Sequence, residues 1–120
     1  MKTLTVYTYA NCDTCRRAVK WLRAHGLAFD ERPIRATPPT LAELRIMLAA
    51  LQGERRWLFN TSGRDYREQK LGEKLPTLTD GEALGLLAAN GNLVKRPFLL
   101  GPGVALVGFA EAEWAAVCLK

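Results

Sequence analysis

The first third of the chain changes its hydrophobic periodicity twice, and this pattern constrains the fold more than any other feature. Residues 4–9 (LTVYTY) are rich in β-branched and aromatic residues, which predicts a strand. Apolar residues at helical spacing follow, and Gly26 is well placed to end that helix. Residues 27–34 are again extended in character. The order strand, helix, strand predicts a βαβ unit with two parallel strands and a right-handed crossover.

The middle of the chain predicts several helices. Thr40 and Glu43 form a capping box in front of leucines at helical spacing. A short helix is predicted over residues 66–71, and Asp80 is predicted to cap a longer one that stops at Asn90. These helices follow the second strand directly.

The last quarter of the chain predicts a hairpin and a closing helix. Gly-Pro-Gly at residues 101–103 separates two apolar segments, which is a hairpin signal, and residues 111–119 have helical character. Together with the βαβ unit, these elements predict an α/β fold. Its centre is a four-stranded mixed sheet flanked by helices on both faces.

The length and composition limit the domain organisation and the partners. A chain of 120 residues with 48% hydrophobic content suits one domain over residues 1–120, which needs neither disulfide nor metal to fold. The N-terminus lacks a signal-peptide pattern and no apolar stretch is long enough to span a bilayer, so we expect a cytoplasmic protein without membrane contact. The net charge of +5 is first of all typical of a soluble basic domain, and a preference for anionic substrates or acidic partners is the second interpretation. The basic residues are scattered, so direct nucleic-acid binding is not expected.

Residues 9–17 (YANCDTCRR) contain a Cys-x-x-Cys pair at the predicted junction of the first strand and helix. Such a pair can bind metal, form a structural bridge or carry out redox chemistry. Three cysteines make a poor disulfide framework. Zinc needs three or four ligands, and His25 and Cys118 are poorly placed to complete the set, so we expect no metal. Thiol redox chemistry is the favoured interpretation.

The two cysteines are predicted to have different roles. Unpaired N–H groups at a helix N-terminus favour a thiolate, so Cys12 is predicted to be the exposed nucleophile. Cys15 lies one turn along the same helix face and is predicted to resolve the oxidised Cys12. The same N–H groups attract anions, so an oxyanion could rest in the loop against Cys12. The candidate binding residues there are Asn11, Asp13, Thr14 and Arg16.

Five segments spread over the chain carry a family resemblance. They are LTVY at 4–7, NCDTCRRA at 11–18, NTSG at 60–63 with Tyr66, LVKRP at 93–97 and VGF at 107–109. With these segments the chain resembles the arsenate reductase/Spx family of thioredoxin-like proteins, nearly end to end. The resemblance implies a thioredoxin-like sheet with a helical insertion after the second strand.

The resemblance also implies roles for individual residues. Cys12 matches the catalytic cysteine of the reductases, Arg96 matches an arginine that steadies the oxyanion, and Pro97 matches a cis-proline that faces the active-site loop. Glutaredoxin-linked members of the family present three arginines to arsenate, of which this sequence matches one. Asn60 and Gly108 stand roughly where the other two would be. Arg64 and Arg16 are the candidates to replace them.

Two functions follow from the resemblance. The first is arsenate reduction through a Cys12 adduct and a Cys12–Cys15 disulfide. Thioredoxin, or glutaredoxin with glutathione, would reduce that disulfide, and no cofactor would be required. The alternative is an Spx-like redox-sensing transcriptional regulator that binds the RNA polymerase α subunit. Cys15 and the unmatched arginines favour the alternative, and Gly53 falls near a glycine used in that contact.

Overall fold

A computed structural model describes residues 3–119 of the chain, so Met1, Lys2 and Lys120 of the predicted domain lie outside the described residues. The described part forms four strands and six α-helices, with 3-10 turns at Arg55–Leu58, Leu75–Thr77 and Gly91–Leu93. The elements in chain order are β1 Leu4–Thr8, α1 Asp13–Ala24, β2 Phe29–Pro33, α2 Leu41–Ala50, α3 Arg64–Glu68, α4 Leu71–Lys74, α5 Asp80–Ala89, β3 Phe98–Gly101, β4 Val104–Val107 and α6 Glu111–Cys118.

The strands form one mixed sheet in the order β2-β1-β3-β4. β1 runs parallel to β2, with Val6 opposite Glu31, and antiparallel to β3, with Val6 opposite Leu99. β3 and β4 form the predicted hairpin. The four-stranded mixed sheet flanked by helices, with its helical insertion after the second strand, is therefore confirmed.

Successive residues of the central strands point to opposite faces of the sheet and so build two cores. On one face, Val6 and Leu99 pack with Leu22 of α1 and Trp114 of α6. On the other face, Tyr7 and Phe98 belong to a larger cluster that the inserted helices α2, α4 and α5 complete. The sheet is therefore covered on both sides, and the β1–α1 junction lies at one end of it.

The capping box at the start of α2 is present as predicted, because Thr40 and Glu43 each accept the other's backbone N–H. The cap predicted for α5 was wrong by one residue. Thr79, not Asp80, is the N-cap, and it forms a second capping box with Glu82. In a capping box, the threonine side chain accepts the N–H of the glutamate three residues later, and the glutamate side chain accepts the N–H of the threonine. Asp80 has no glutamate three residues later, so it cannot form this pair.

The helix predicted over residues 66–71 is also different in the structure. Two short helices, α3 and α4, occupy this region, and Lys70 separates them with a φ of 51°. A left-handed residue cannot continue a right-handed helix, so the chain turns there. Within residues 3–119, no helix combines the length and the apolar character needed to cross a bilayer.

Candidate functional site

The cysteine loop, residues 9–15, comprises the connection from β1 to α1 and the first turn of α1, and it places Cys12 at the helix N-cap. Cys12 has an extended backbone conformation, and its Sγ accepts a hydrogen bond from the Cys15 N–H at 3.3 Å. A helix N-cap is usually Ser, Thr, Asp or Asn, whose oxygen accepts this bond. Here a sulfur takes that position, so the first turn of α1 holds the Cys12 thiol in place.

The two cysteines of the loop are free thiols in different environments. Cys12 is half-buried, whereas Cys15 is 1% exposed. Burial, and then the hydrogen bond that joins its thiol to Cys12, raise the pKa of Cys15 to about 12. A backbone hydrogen bond from Tyr9 and the charge of Arg96 lower that pKa by smaller amounts. Cys15 therefore keeps its proton at neutral pH.

Backbone hydrogen bonds at the preceding and the following residue hold the segment that carries Arg96. The Lys95 N–H donates to the Leu58 carbonyl at 2.7 Å, and the Pro97 carbonyl accepts from the Gly108 N–H at 2.9 Å. The peptide bond between Arg96 and Pro97 is cis, and Pro97 is buried. The Arg96 guanidinium carbon lies 4.7 Å from the centroid of the Tyr9 ring. Arg96 is thus positioned beside the start of the loop.

A cavity of about 290 Å³ opens next to Tyr9 and Arg96, and we call it the arginine cavity. Arg64 and Asn60, both singled out from the sequence, lie in its wall with Arg96. Arg35 lies there as well, and its Nη1 donates to the Tyr9 hydroxyl at 2.9 Å. The tertiary structure thus brings three arginines to one cavity.

The structure does not place Arg16 in this group. The Arg16 Nη1 donates to the Ala10 carbonyl at 2.6 Å, and its Nη2 lies 3.8 Å from exposed Asp13. Arg16 borders a different hollow, together with Cys15 and Lys20. In the same loop Asn11 is exposed and Thr14 is half-buried. Among residues 3–119, no three His, Cys, Asp or Glu side chains converge closely enough to hold a metal ion.

One of the two positions without a matching arginine, Gly108, has a local reason for its residue. Gly108 has a φ of 68°, and a Cβ there would lie 3.3 Å from the Lys95 Cε. A glycine adopts this conformation freely, whereas an arginine would be strained. Asn60 lines the arginine cavity, and its backbone N–H donates to the Leu93 carbonyl at 2.7 Å.

The sequence interpretation missed Arg35, because Arg35 belongs to none of the recognised motifs. A signal was nevertheless available. Arg35 follows β2 by two residues, and the cysteine loop follows β1. The carboxyl ends of neighbouring parallel strands meet at one edge of a sheet, which is where α/β proteins place ligands. That rule alone predicts that Arg35 lies near the cysteine loop.

Comparison with known proteins gives the family. A model described as ArsC family matches residues 7–117. Uncharacterized protein YusI of Bacillus subtilis is 41% identical over 112 residues, which are 93% of this chain and 95% of YusI. Global transcriptional regulator Spx of Enterococcus faecalis is 33% identical over 110 residues, covering 92% of this chain and 82% of the regulator. The crystal structure of a possible arsenate reductase from Streptococcus mutans superposes with a TM-score of 0.84 and 38% identity, over 92% of this chain and 95% of that one. The chain therefore belongs to the ArsC family.

Proposed function

We propose that this protein is a thiol oxidoreductase that reduces arsenate to arsenite with Cys12 and Cys15. The observation that carries the proposal is the pairing of a half-buried Cys12 at the helix N-cap with a buried Cys15 in the first helical turn, whose backbone N–H donates to the Cys12 Sγ. The positive charge of Arg96 acts on the Cys15 sulfur. A nucleophile, a second thiol and a nearby cation are the groups that a two-electron reduction of an oxyanion requires.

The proposed reaction begins with the Cys12 sulfur. The Cys12 thiolate attacks arsenic, a sulfur–arsenic bond forms, and one arsenate oxygen leaves as water after it is protonated. Arsenic is still in its +5 state at this point. In this scheme the backbone N–H groups of Asn11, Asp13 and Thr14 surround the oxyanion, because N–H groups at a helix start favour negative charge.

The second step transfers the electrons. Cys15 loses its proton and its sulfur attacks the Cys12 sulfur, so that a Cys12–Cys15 disulfide forms. The sulfur–arsenic bond breaks, its electron pair stays on arsenic, and arsenite in the +3 state leaves. Thioredoxin then reduces the disulfide by thiol–disulfide exchange, and glutaredoxin with glutathione is the alternative donor.

The proposal is tested by coupling the purified protein to thioredoxin, thioredoxin reductase and NADPH. We expect NADPH oxidation that depends on arsenate, on thioredoxin and on Cys12. Cys118→Ser is the matched control, because Cys118 lies in α6, where it is half-buried and packs against a core cluster that contains neither Cys12 nor Cys15. An absence of arsenate-dependent oxidation with either thioredoxin or the glutaredoxin and glutathione pair would reject the proposal.

A second candidate function is redox-sensing regulation through the RNA polymerase α subunit. It is favoured by the same cysteine pair and by the 33% identity to the Enterococcus faecalis regulator. Gly53 does not add support, because a φ of 83° and a hydrogen bond from its N–H to the Leu48 carbonyl explain this glycine as the end of α2. Capture of purified α subunit by the oxidised protein, and its loss in Cys15→Ser, would favour regulation. If neither the oxidised nor the reduced protein captured the α subunit, the regulatory function would be rejected.

A further inference from the structure

The two edge strands of the sheet differ in how well they resist the addition of a further strand. β2 has the sequence FDERP, in which residues 30–33 are all exposed. Charged residues and proline on an edge strand hinder its pairing with another chain. β4, at the other edge, has the sequence VALV, which contains neither a charged residue nor a proline. Only β2 therefore carries this protection.

The backbone of β4 has free hydrogen-bonding groups on its outer side. The Gly108 N–H donates to the Pro97 carbonyl at 2.9 Å, which continues the β3–β4 ladder by one pair. Because the backbone groups of successive residues face alternate sides of an antiparallel strand, those of Ala105 and Val107 face away from β3. Among residues 3–119, no backbone group outside the sheet bonds to either residue. Two N–H groups and two carbonyls are thus available to an incoming strand.

A groove of about 520 Å³ opens beside this edge, and we call it the β4 groove. It is lined by residues 105–107 of β4, by the end of α2 with the 3-10 turn that follows it, and by α6. Trp57 lies in its wall and is 56% exposed, although its side chain is large and apolar. Tryptophan is among the residues that contribute most to binding at protein interfaces. The β4 groove therefore offers an apolar contact next to free backbone groups.

The charges in the groove indicate the chemistry of the partner. Arg56 and Lys95 lie in the wall, and both are exposed. In the described part of the chain, no carboxylate oxygen lies within 4.0 Å of their side-chain nitrogens. Glu113 is the acidic residue in the wall. A second copy of this chain, with a net charge of +5, would bring the same positive charges to the interface, whereas an acidic partner is attracted by them.

We propose that β4 binds an extended, acidic segment of another protein as an added strand. The backbone groups of Ala105 and Val107 pair with the backbone of that segment, its apolar side chains contact Trp57, and its carboxylates approach Arg56 and Lys95. In strand addition, the main-chain bonds supply affinity and the side-chain contacts supply specificity. Among the described residues, neither cysteine of the cysteine loop lines the groove, so this inference goes beyond the proposed function and does not depend on it.

The test measures binding of a fluorescein-labelled peptide, Glu-Val-Glu-Val-Glu-Val-Glu, by fluorescence anisotropy on the reduced full-length chain at low and constant ionic strength. We expect saturable binding that Ala105→Pro weakens about tenfold or more, because proline removes an outward N–H and no bond within the chain. Arg56→Gln and Lys95→Gln should each weaken it about two- to fivefold, the range for an exposed ion pair. The same peptide with glutamine in place of glutamate should bind about tenfold more weakly.

Glu31→Pro is the matched control on the protected edge. The Ile34 N–H donates to the Thr8 carbonyl at 2.9 Å, so position 34 faces β1 and position 31 faces outward. This variant should bind the peptide within about twofold of the parent chain, because its proline lies at the other edge of the sheet. Arg45→Gln, which removes an exposed charge from α2, is the control for the two charge variants and should behave likewise.

Three results would overturn the proposal. They are no binding of the acidic peptide to the parent chain, equal binding to Ala105→Pro and Glu31→Pro, and a dimer of the unliganded chain in sedimentation velocity that Ala105→Pro dissociates. The last result would assign the edge to a second copy. Melting temperatures establish that the proline variants are folded. If Ala105→Pro does not fold, a peptide with N-methylated backbone nitrogens replaces it on the parent chain. Binding of that peptide as tightly as the unmodified one would equally reject strand addition.

Discussion

The cysteine loop and the arginine cavity meet at Tyr9, yet the chain builds them in different ways. The loop is one contiguous segment, in which a strand end, an N-cap and the first helical turn position both sulfurs. The cavity takes its three arginines from positions 35, 64 and 96, which lie after β2, in α3 and before β3. The loop depends on local hydrogen bonds, whereas the cavity depends on long-range packing.

Because of this difference, we expect the two regions to have different roles. The reactive group needs an accurate local geometry, which a short segment with one fixed helix start can provide. The charge that attracts an anion can come from any element that reaches the same edge of the sheet, because electrostatic attraction depends on distance and not on connectivity. We therefore expect changes in the loop to alter the chemistry, and changes in the cavity to alter binding.

The largest expected effect is at Cys12. Cys12→Ser removes the nucleophile, so arsenate-dependent NADPH oxidation should fall by about a thousandfold or more, as when other catalytic nucleophiles are removed. Cys118→Ser should retain the activity of the parent chain. Activity in Cys12→Ser would show that the loop is not the reacting centre.

The second prediction concerns the pH dependence of disulfide closure. Burial raises the pKa of Cys15 and persists when Cys12 carries a mixed disulfide, so the Cys15 thiolate fraction rises with pH throughout the range from 6 to 9. The rate of closure should therefore rise about tenfold per pH unit, since the thiolate is the attacking species. The measurement uses the Cys118→Ser chain carrying a thionitrobenzoate mixed disulfide on Cys12, and follows release of the coloured thiolate.

The control for this measurement is Cys15→Ser in the same background, which should release no thionitrobenzoate. A closure rate that is flat between pH 6 and 9 would contradict the assignment of Cys15 as a buried and protonated resolving thiol. The burial of Cys15 also has a consequence for stability. Its pKa is higher in the folded than in the unfolded chain, so its contribution is present below the ordinary thiol pKa and is lost as the pH rises above it.

The third prediction separates the two regions through the backbone. Gly91→Ala places a methyl group against the Ile34 carbonyl and the Arg35 Cα, so it should lower the free energy of unfolding by about 1–3 kcal/mol. It should also weaken arsenate binding, because Arg35 of the arginine cavity must move. The rate of thionitrobenzoate release from Cys12 should stay unchanged.

Gly85→Ala is the matched control for Gly91→Ala, because a Cβ at Gly85 meets no atom within 4 Å. This exposed position lies in the interior of α5, so alanine should raise the free energy of unfolding by about 0.5–1 kcal/mol. Denaturant unfolding measures both variants. Equal stabilities of the two would mean that Gly91 does not hold the Arg35 segment in place.

The smallest expected effect is at Arg96, where the two regions share a side chain. Arg96→Lys retains the charge near Cys15 but loses the planar fork, so kcat/KM for arsenate should fall about tenfold. The melting temperature should stay at the parent value, because Arg96 is only half-buried. Identical arsenate kinetics in the variant and the parent chain would remove Arg96 from substrate binding and leave the cavity to Arg35 and Arg64.

Much of the fold could be predicted because its signals are local. The strand at residues 4–9, the capping box at Thr40 and the Gly-Pro-Gly hairpin each depend on neighbours within a few positions, and each appears in the structure. The errors were also local. The capping box at Thr79 was present in the sequence but was assigned to Asp80, and the break between α3 and α4 depends on the left-handed conformation of Lys70. Lysine gives no signal of that conformation, which it adopts here in its tertiary setting.

The sequence by itself determined the cysteine loop, because a strand, a cap and a helix turn are set by residues that are adjacent in the chain. It also determined the sheet, since the uninterrupted apolar residues Phe98–Leu100 of β3 require a cover on both faces. The tertiary structure alone decided the arginine cavity. Arg35, Arg64 and Arg96 are about thirty residues apart in the chain, and no local pattern relates them. The parallel pairing of β1 with β2 and the tight contact at Gly91 bring them to Tyr9, because packing fixes where distant segments meet.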